Sequence, residues 1–328
     1  MKTLYDLCLH ELKDLYNAAD YMHQVLKRMS SSATNPKLVQ MLDTYYRQVQ
    51  HQKEKLREFF AKYSVDIDQA RSPIMSKIRD HGLASMRFEG SKEIRDLALL
   101  LTLNMMKHFE KTAFGTLLTH ANRMKHEEII DMLLSLRKKI AKDEKQPMAI
   151  ASDIMEETET SELKREVEVL LGRIVKAHVR DENQLLTLIP QLISEVNVDK
   201  LKEALETYQF EHQAHQEELY TFLTEFQNAS EIEGWSVMDG FALEWKKDLS
   251  AIGSQALKAV GVILSIQRIQ HQNMALFEFE ERLSRHLGHS EMQKRFEYLF
   301  EQEMGNDQSF TAIAEGSIFE EGLDAKVK

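Results

Sequence analysis

KLVQMLDTYYRQVQHQKEKLREFF at residues 37–60 and KLKEALETYQFEHQAHQEELYTFL at residues 200–223 align without a gap. In the first, Leu38, Leu42, Tyr45, Val49, Gln52, Leu56 and Phe59 alternate steps of four and three, the apolar seam of a bundle helix with one polar residue inside it. In the second, Leu201, Leu205, Tyr208, His212, His215, Leu219 and Phe222 repeat those steps, each 163 residues after its counterpart. The same offset pairs His108 with His271, Phe114 with Phe277, and Ala149-Ile150-Ala151 with Ala312-Ile313-Ala314. A shift that survives the whole length implies duplication of an entire domain, loops included. The period is too long for a solenoid unit, so each copy is expected to fold around its own core.

Working outward, each copy reads as four long helices. The spacing predicts them near 3–30, 36–62, 91–122 and 125–146, and again near 162–194, 198–228, 250–287 and 289–313. Asn35-Pro36 suits a helix start, and Gly288 a helix stop. Pro190 falls inside a periodic stretch, where it predicts a kink. The link between the second and third helices is long in both copies, 64–90 and 229–249, while the other links are short. One long crossover in a four-helix bundle is the ferritin-like connection. The expected fold is therefore all-α, two tandem ferritin-like four-helix bundles at 1–152 and 160–316 with a tail at 317–328. The region 148–160 reads as the linker between them.

Composition agrees. A chain of 328 residues with 43% hydrophobic residues suits two cores, and 4 prolines with 12 glycines favour long helices over β structure. The single cysteine, Cys8, excludes an intramolecular disulfide framework. A net charge of -11 opposes nucleic acid and anionic lipid as partners, leaving self-association as the expected one. No apolar run is long enough to span a bilayer and the N-terminus has no uninterrupted apolar middle, so the expected location is the cytoplasm.

TLYDLCLHELKDLYNAADYM at the N-terminus, SATNP-K-L at the entry to the second helix and KHFEKTAFGTL in the third resemble the YciF-type ferritin-like stress proteins. The likeness is strong over 1–150 and continues in register through the second copy. The tandem arrangement is a departure, since members usually have one domain. The resemblance implies a rubrerythrin-like bundle, a dinuclear metal site and a link to stress.

A dinuclear iron or manganese site needs carboxylates and imidazoles that point inward from all four helices. Against the family pattern, Glu182 occupies the first-helix glutamate, Glu211 and His215 the second-helix pair, and Glu303 and Asp307 the fourth-helix pair, with His271 as a further nitrogen donor. In the third helix Gln270 and Asn273 stand where glutamates are expected, so one ion or a weaker pair is as compatible as a full dinuclear centre. His178 and His212 read as core histidines, and His10 with Glu11 as a surface pair.

In the first copy the ligands are lost: Ala19 stands for Glu182, Gln48 for Glu211, Gln52 for His215, Ile140 for Glu303 and Lys107 for Gln270, while Glu144 replaces Asp307. Lys107 is expected to pair with Glu144 or Glu110 and replace the metal electrostatically. Two functions follow as expectations. One is a stress-associated protein whose C-terminal bundle alone binds iron or manganese, without an organic cofactor, and reacts with oxygen or peroxide. The other is a non-enzymatic helical assembly module in which both metal sites are lost.

Overall fold

The computed structural model describes residues 1–67, 72–140, 145–158, 160–226, 230 and 234–318. Among the described residues are eleven α-helices and no strand. They are α1 (Leu4–Ser32), α2 (Pro36–Lys62), α3 (Pro73–Ser85), α4 (Lys92–Met124), α5 (Glu127–Ile140), α6 (Gln146–Glu157), α7 (Ser161–Glu195), α8 (Asp199–Glu225), α9 (Met238–Ala251), α10 (Gln255–Leu287) and α11 (Ser290–Ile313), the last running into a π turn, Ala314–Ile318.

The repeat holds in register at three helix starts. α2, α4 and α5 begin at 36, 92 and 127, and α8, α10 and α11 begin 163 residues later at 199, 255 and 290. The caps repeat as well. Ser91 Oγ accepts from the Ile94 amide at 3.4 Å, and its counterpart Ser254 accepts from Leu257 at 3.2 Å. At the other end, Lys125 and Gly288 both adopt left-handed backbone, with φ of 53° and 79°. Asn35 caps α2 as expected, its Oδ1 accepting from the Lys37 amide at 2.9 Å, with Pro36 in the first turn.

Within the first half α1 packs on α2 and α4, and α5 packs on both α2 and α4. In the second half α7, α8, α10 and α11 repeat that ring. The halves meet chiefly through α4 on α10 and α3 on α9. α4 and α10 are buried nearly all round, because DLALLLTLNMM and KAVGVILSI carry near-continuous apolar runs rather than one stripe. His108 and His271, equivalent by the repeat, meet across this contact with ring centroids 5.8 Å apart.

Three expectations change. The crossovers are not bare links: α3 and α9 lie within them and cross so closely that a Cβ on Gly240 would stand 2.9 Å from the Ile74 Cα and the Pro73 carbonyl oxygen. The expected linker at 148–160 is largely α6, which is helical because Met148, Ile150, Ala151, Ile154 and Met155 bury one face. The fourth helix of the first half, expected over 125–146, is described over Glu127–Ile140; 141–144 lie outside the described residues, and Gln146 already belongs to α6. Pro190 lies inside α7, which continues to Glu195. Trp235 anchors the second crossover on the first half, stacking on His81 and Phe88 with centroids 4.9 and 5.5 Å away. Most of the tail at 317–328, and Glu144, lie outside the described residues.

Candidate metal centre

The interior of the second half collects polar side chains from four helices. α7 contributes Glu182, α8 contributes Tyr208, His212 and His215, α10 contributes Gln270 and Asn273, and α11 contributes Glu303, all of them buried. Spacings of three and four along α8 place Tyr208, His212 and His215 on one inward face.

His212 is the hub. Its Nδ1 lies 2.5 Å from Glu182 Oε1 and its Nε2 lies 3.4 Å from Glu303 Oε1. Asn273 Nδ2 donates to Glu303 Oε1 at 2.7 Å, and the Tyr208 hydroxyl donates to Glu303 Oε2 at 3.2 Å. Burial alone would lower the His212 pKa, but the charges of Glu182 and Glu303 outweigh it and push it up to about 10. Burial raises Glu303, and the His212 charge beside it reverses the sign, so that Glu303 ends below its ordinary value. Burial and the neighbouring His212 charge lower His215, which favours its neutral form. Ligand atoms of Glu182, His212 and His215 all lie within 4.8 Å of one another.

Of the six expected ligands, Glu182, His215 and Glu303 share this interior. Glu211 is half-buried and turns to α11, where its Oε2 accepts from Asn306 Nδ2 at 2.7 Å. His271 and Asp307 pair at 3.8 Å on the far side of α10, lining a cleft of about 500 Å³ between the halves. Two expected carboxylates and one imidazole thus face elsewhere, and in this interior Glu182, His212 and His215 are the group whose ligand atoms come together. The interior gains His212, which had read as a core histidine. Its place in the seam between Tyr208 and His215 was the signal that marks it as inward-facing. His178 is held separately by Glu280 at 3.1 Å.

The donor chemistry also fits a cation. Among the described residues, Glu182 Oε2, His215 Nδ1 and both amide atoms of Gln270 are buried without a hydrogen-bond partner. The buried lysine and arginine of the described residues, Lys107 and Arg268, lie elsewhere.

At the equivalent place in the first half stand Ala19, Tyr45, Val49, Gln52, Lys107, Glu110 and Ile140. The Tyr45 hydroxyl donates to Glu110 Oε2 at 2.6 Å, and Lys107 Nζ sits 5.0 Å from the centre of the Tyr45 ring. Lys107 is buried rather than in open solvent. Burial pushes Glu110 up to about 7 against the pull of the Tyr45 hydroxyl and the Lys107 charge. His10 and Glu11 are no surface pair: His10 faces Asp248 at 2.8 Å, and Glu11 is buried against His120 at 3.0 Å.

Comparison with known proteins agrees with the repeat. Protein YciF of Escherichia coli (strain K12) is 24% identical over 134 residues, which are 40% of this chain and 81% of YciF. No solved structure matches. A family model described as a domain of unknown function (DUF892) matches residues 3–158 and again 166–322. The chain belongs to the DUF892 family and carries its domain twice in tandem.

Proposed function

We propose that the chain is a stress-associated, ferritin-like protein whose second half holds one divalent transition-metal ion, iron or manganese, and whose first half holds none. The two units at 1–152 and 160–316 are read as four-helix bundles of the ferritin-like kind, each with a helix in its long crossover. The ring of packed helices in each half supports this reading.

Buried charge carries the proposal. Two buried carboxylates, Glu182 and Glu303, face one imidazolium, His212, so the interior retains a surplus negative charge. A buried unbalanced charge is costly. A divalent ion with His212 neutral balances the two carboxylates, and His212, His215 and Glu182 then supply nitrogen and oxygen donors suited to iron or manganese. A bound ion would supply redox chemistry toward oxygen or peroxide. The chain's own residues hold it, exclude bulk water and release the His212 proton on loading. In the first half Lys107 supplies a fixed positive charge beside Glu110, and Ala19 stands where the second half has Glu182.

The test is elemental analysis of the full chain purified without chelator, next to Glu182→Gln with His215→Ala. The proposal expects the double variant to lose about one equivalent of metal per chain. Equal metal in both proteins removes the site. A specific observation favours a second reading, a non-enzymatic helical assembly module. His212 already lies between the two carboxylates, Nδ1 toward Glu182 and Nε2 toward Glu303, and on that reading its imidazolium stands permanently where the ion would.

A further inference from the structure

A second group of ligand atoms lies at the junction of the halves, away from the centre just described. His10 and Asp14 sit one turn apart on α1 of the first half, and Asp248 sits near the end of α9 of the second. The junction is tied: the Gly253 amide donates to the Met1 carbonyl at 3.0 Å, and the Met1 amino group donates to the Ala251 carbonyl. His10 Nε2 is 2.8 Å from Asp248 Oδ1 and 3.8 Å from Asp14 Oδ2. Ligand atoms of all three lie within 4.8 Å of one another.

Asp14 Oδ2 makes this more than an acidic cluster. Asp14 is 2% exposed, and this oxygen accepts no hydrogen bond from the described residues. It points between His10 Nε2 and Arg268 Nη2, which lies 3.6 Å away, both beyond hydrogen-bond reach. Arg268 is engaged by Glu244, Nη1 to Oε1 at 2.6 Å. Four carboxylates, Asp14, Glu244, Glu11 and Asp248, thus act on one buried guanidinium, with Lys247 as the nearby surface cation. Donors bound to a tetrahedral ion lie about 3.4 Å apart. The separations of 2.8 and 3.8 Å bracket that value. His10 and Asp248 keep 20% and 17% side-chain exposure, which leaves a path for an ion and room for water ligands.

We propose that His10, Asp14 and Asp248 form a divalent metal site that bridges the two halves. One imidazole nitrogen and two carboxylates suit a first-row ion such as Co²⁺, Zn²⁺ or Mn²⁺. The site arises once. The counterparts by the repeat are Arg173, Ala177 and Ser85, which offer no comparable donor set. It also needs both halves, since α1 of one copy and α9 of the other supply the ligands. A bound ion would lock the junction.

The test is Co²⁺ titration of the full chain carrying Glu182→Gln and His215→Ala, which removes the other centre. The expected result is one equivalent of Co²⁺ with visible ligand-field absorption. Adding His10→Ala, or separately Asp248→Asn, weakens binding at least about tenfold. Both positions are partly exposed, and unchanged far-UV circular dichroism verifies the fold. A background protein that binds no Co²⁺ makes the cluster an ion pair only and overturns the proposal, as does a His10→Ala protein that titrates like its parent. The proposal for the second half fails by a different result, equal metal content with and without Glu182→Gln and His215→Ala.

Discussion

Replacing both His178 and Glu280 with leucine should leave the protein as stable as before or more so, while either replacement alone should damage it severely. The two side chains are fully buried and paired at 3.1 Å between α7 and α10. By the repeat, their counterparts are Leu15 and Leu117, both fully buried. The first half has its own buried pair, Glu11 with His120, and there the second half carries Ile174 and Leu283. Each half therefore shows that the other's ion pair can be exchanged for two aliphatic side chains on the same backbone. Removing one partner strands a buried charge and costs about 3–5 kcal/mol. Exchanging both ranges from neutral to a gain of about 1–4 kcal/mol, since desolvating two ions cancels much of their attraction.

The assay is urea unfolding followed by tryptophan fluorescence, because both tryptophans, Trp235 and Trp245, are buried in the second half. The pH dependence adds a second reading. Burial lowers the His178 pKa, but the charge and hydrogen bond of Glu280, with Glu182 and Asp181 beyond, leave it raised above 6.5. A raised histidine stabilises fully below its unfolded pKa and loses that contribution as pH rises through the folded value. The advantage of the double-leucine protein should thus grow from pH 6.5 upward. Single variants that each cost under about 1 kcal/mol, or a double variant that loses their sum, would refute the reasoning.

Two further outcomes follow from the first half. Glu110 is raised from 4.5 to about 7, so the native state keeps a proton that the unfolded chain releases, and stability falls by roughly 3 kcal/mol across that window. Glu110→Gln should flatten that slope in calorimetry, whatever it does to absolute stability; an unchanged slope rejects the assignment. Lys125 is exposed and holds φ of 53° where the second half has Gly288. Lys125→Gly should gain about 1 kcal/mol, and Gly288→Ala should lose a similar amount, because nothing lies within 4 Å of a Cβ there and only backbone strain is at stake.

The repeat was legible because the seams, several helix starts and their caps carry the same spacing, so even the left-handed stop at 125 and 288 falls in register. The crossover helices were less so. α3 and α9 are short and each contains a glycine, Gly82 and Gly240, which weakens a periodic signal. Yet Ser72-Pro73 is a proper helix start, and Ser72 Oγ accepts from the Met75 amide at 3.3 Å. At the candidate site the seam spacing put His212 and His215 on one face, while the family pattern named Glu211, which turns toward α11. Glu211 and His212 are neighbours about 100° apart on α8, so an error of one seam position exchanges them. His271 was misplaced for another reason. α10 is buried on every face, and periodicity cannot tell which face meets its own half and which meets α4.

The two interiors also show what the fold itself demands. Tyr45 and Tyr208 are equivalent, and each donates its hydroxyl to a buried carboxylate, Glu110 or Glu303. Those carboxylates are not equivalent. Glu110 comes from α4, where the second half has Asn273, and Glu303 comes from α11, where the first half has Ile140. The acid has changed helices while the tyrosine has stayed. A buried hydroxyl needs an acceptor, and either helix can place one. What differs is the remaining charge. Among the described residues of the first half, Glu110 meets the charge of Lys107. In the second, Glu182 adds a further carboxylate, and the nearest compensation is a histidine that can surrender its proton. Packing alone would be satisfied by Ala19 at that position, as the first half demonstrates. Glu182 therefore adds a buried charge that the fold does not require, and because Glu303 already faces His212 it leaves the surplus on which the proposed cation site rests.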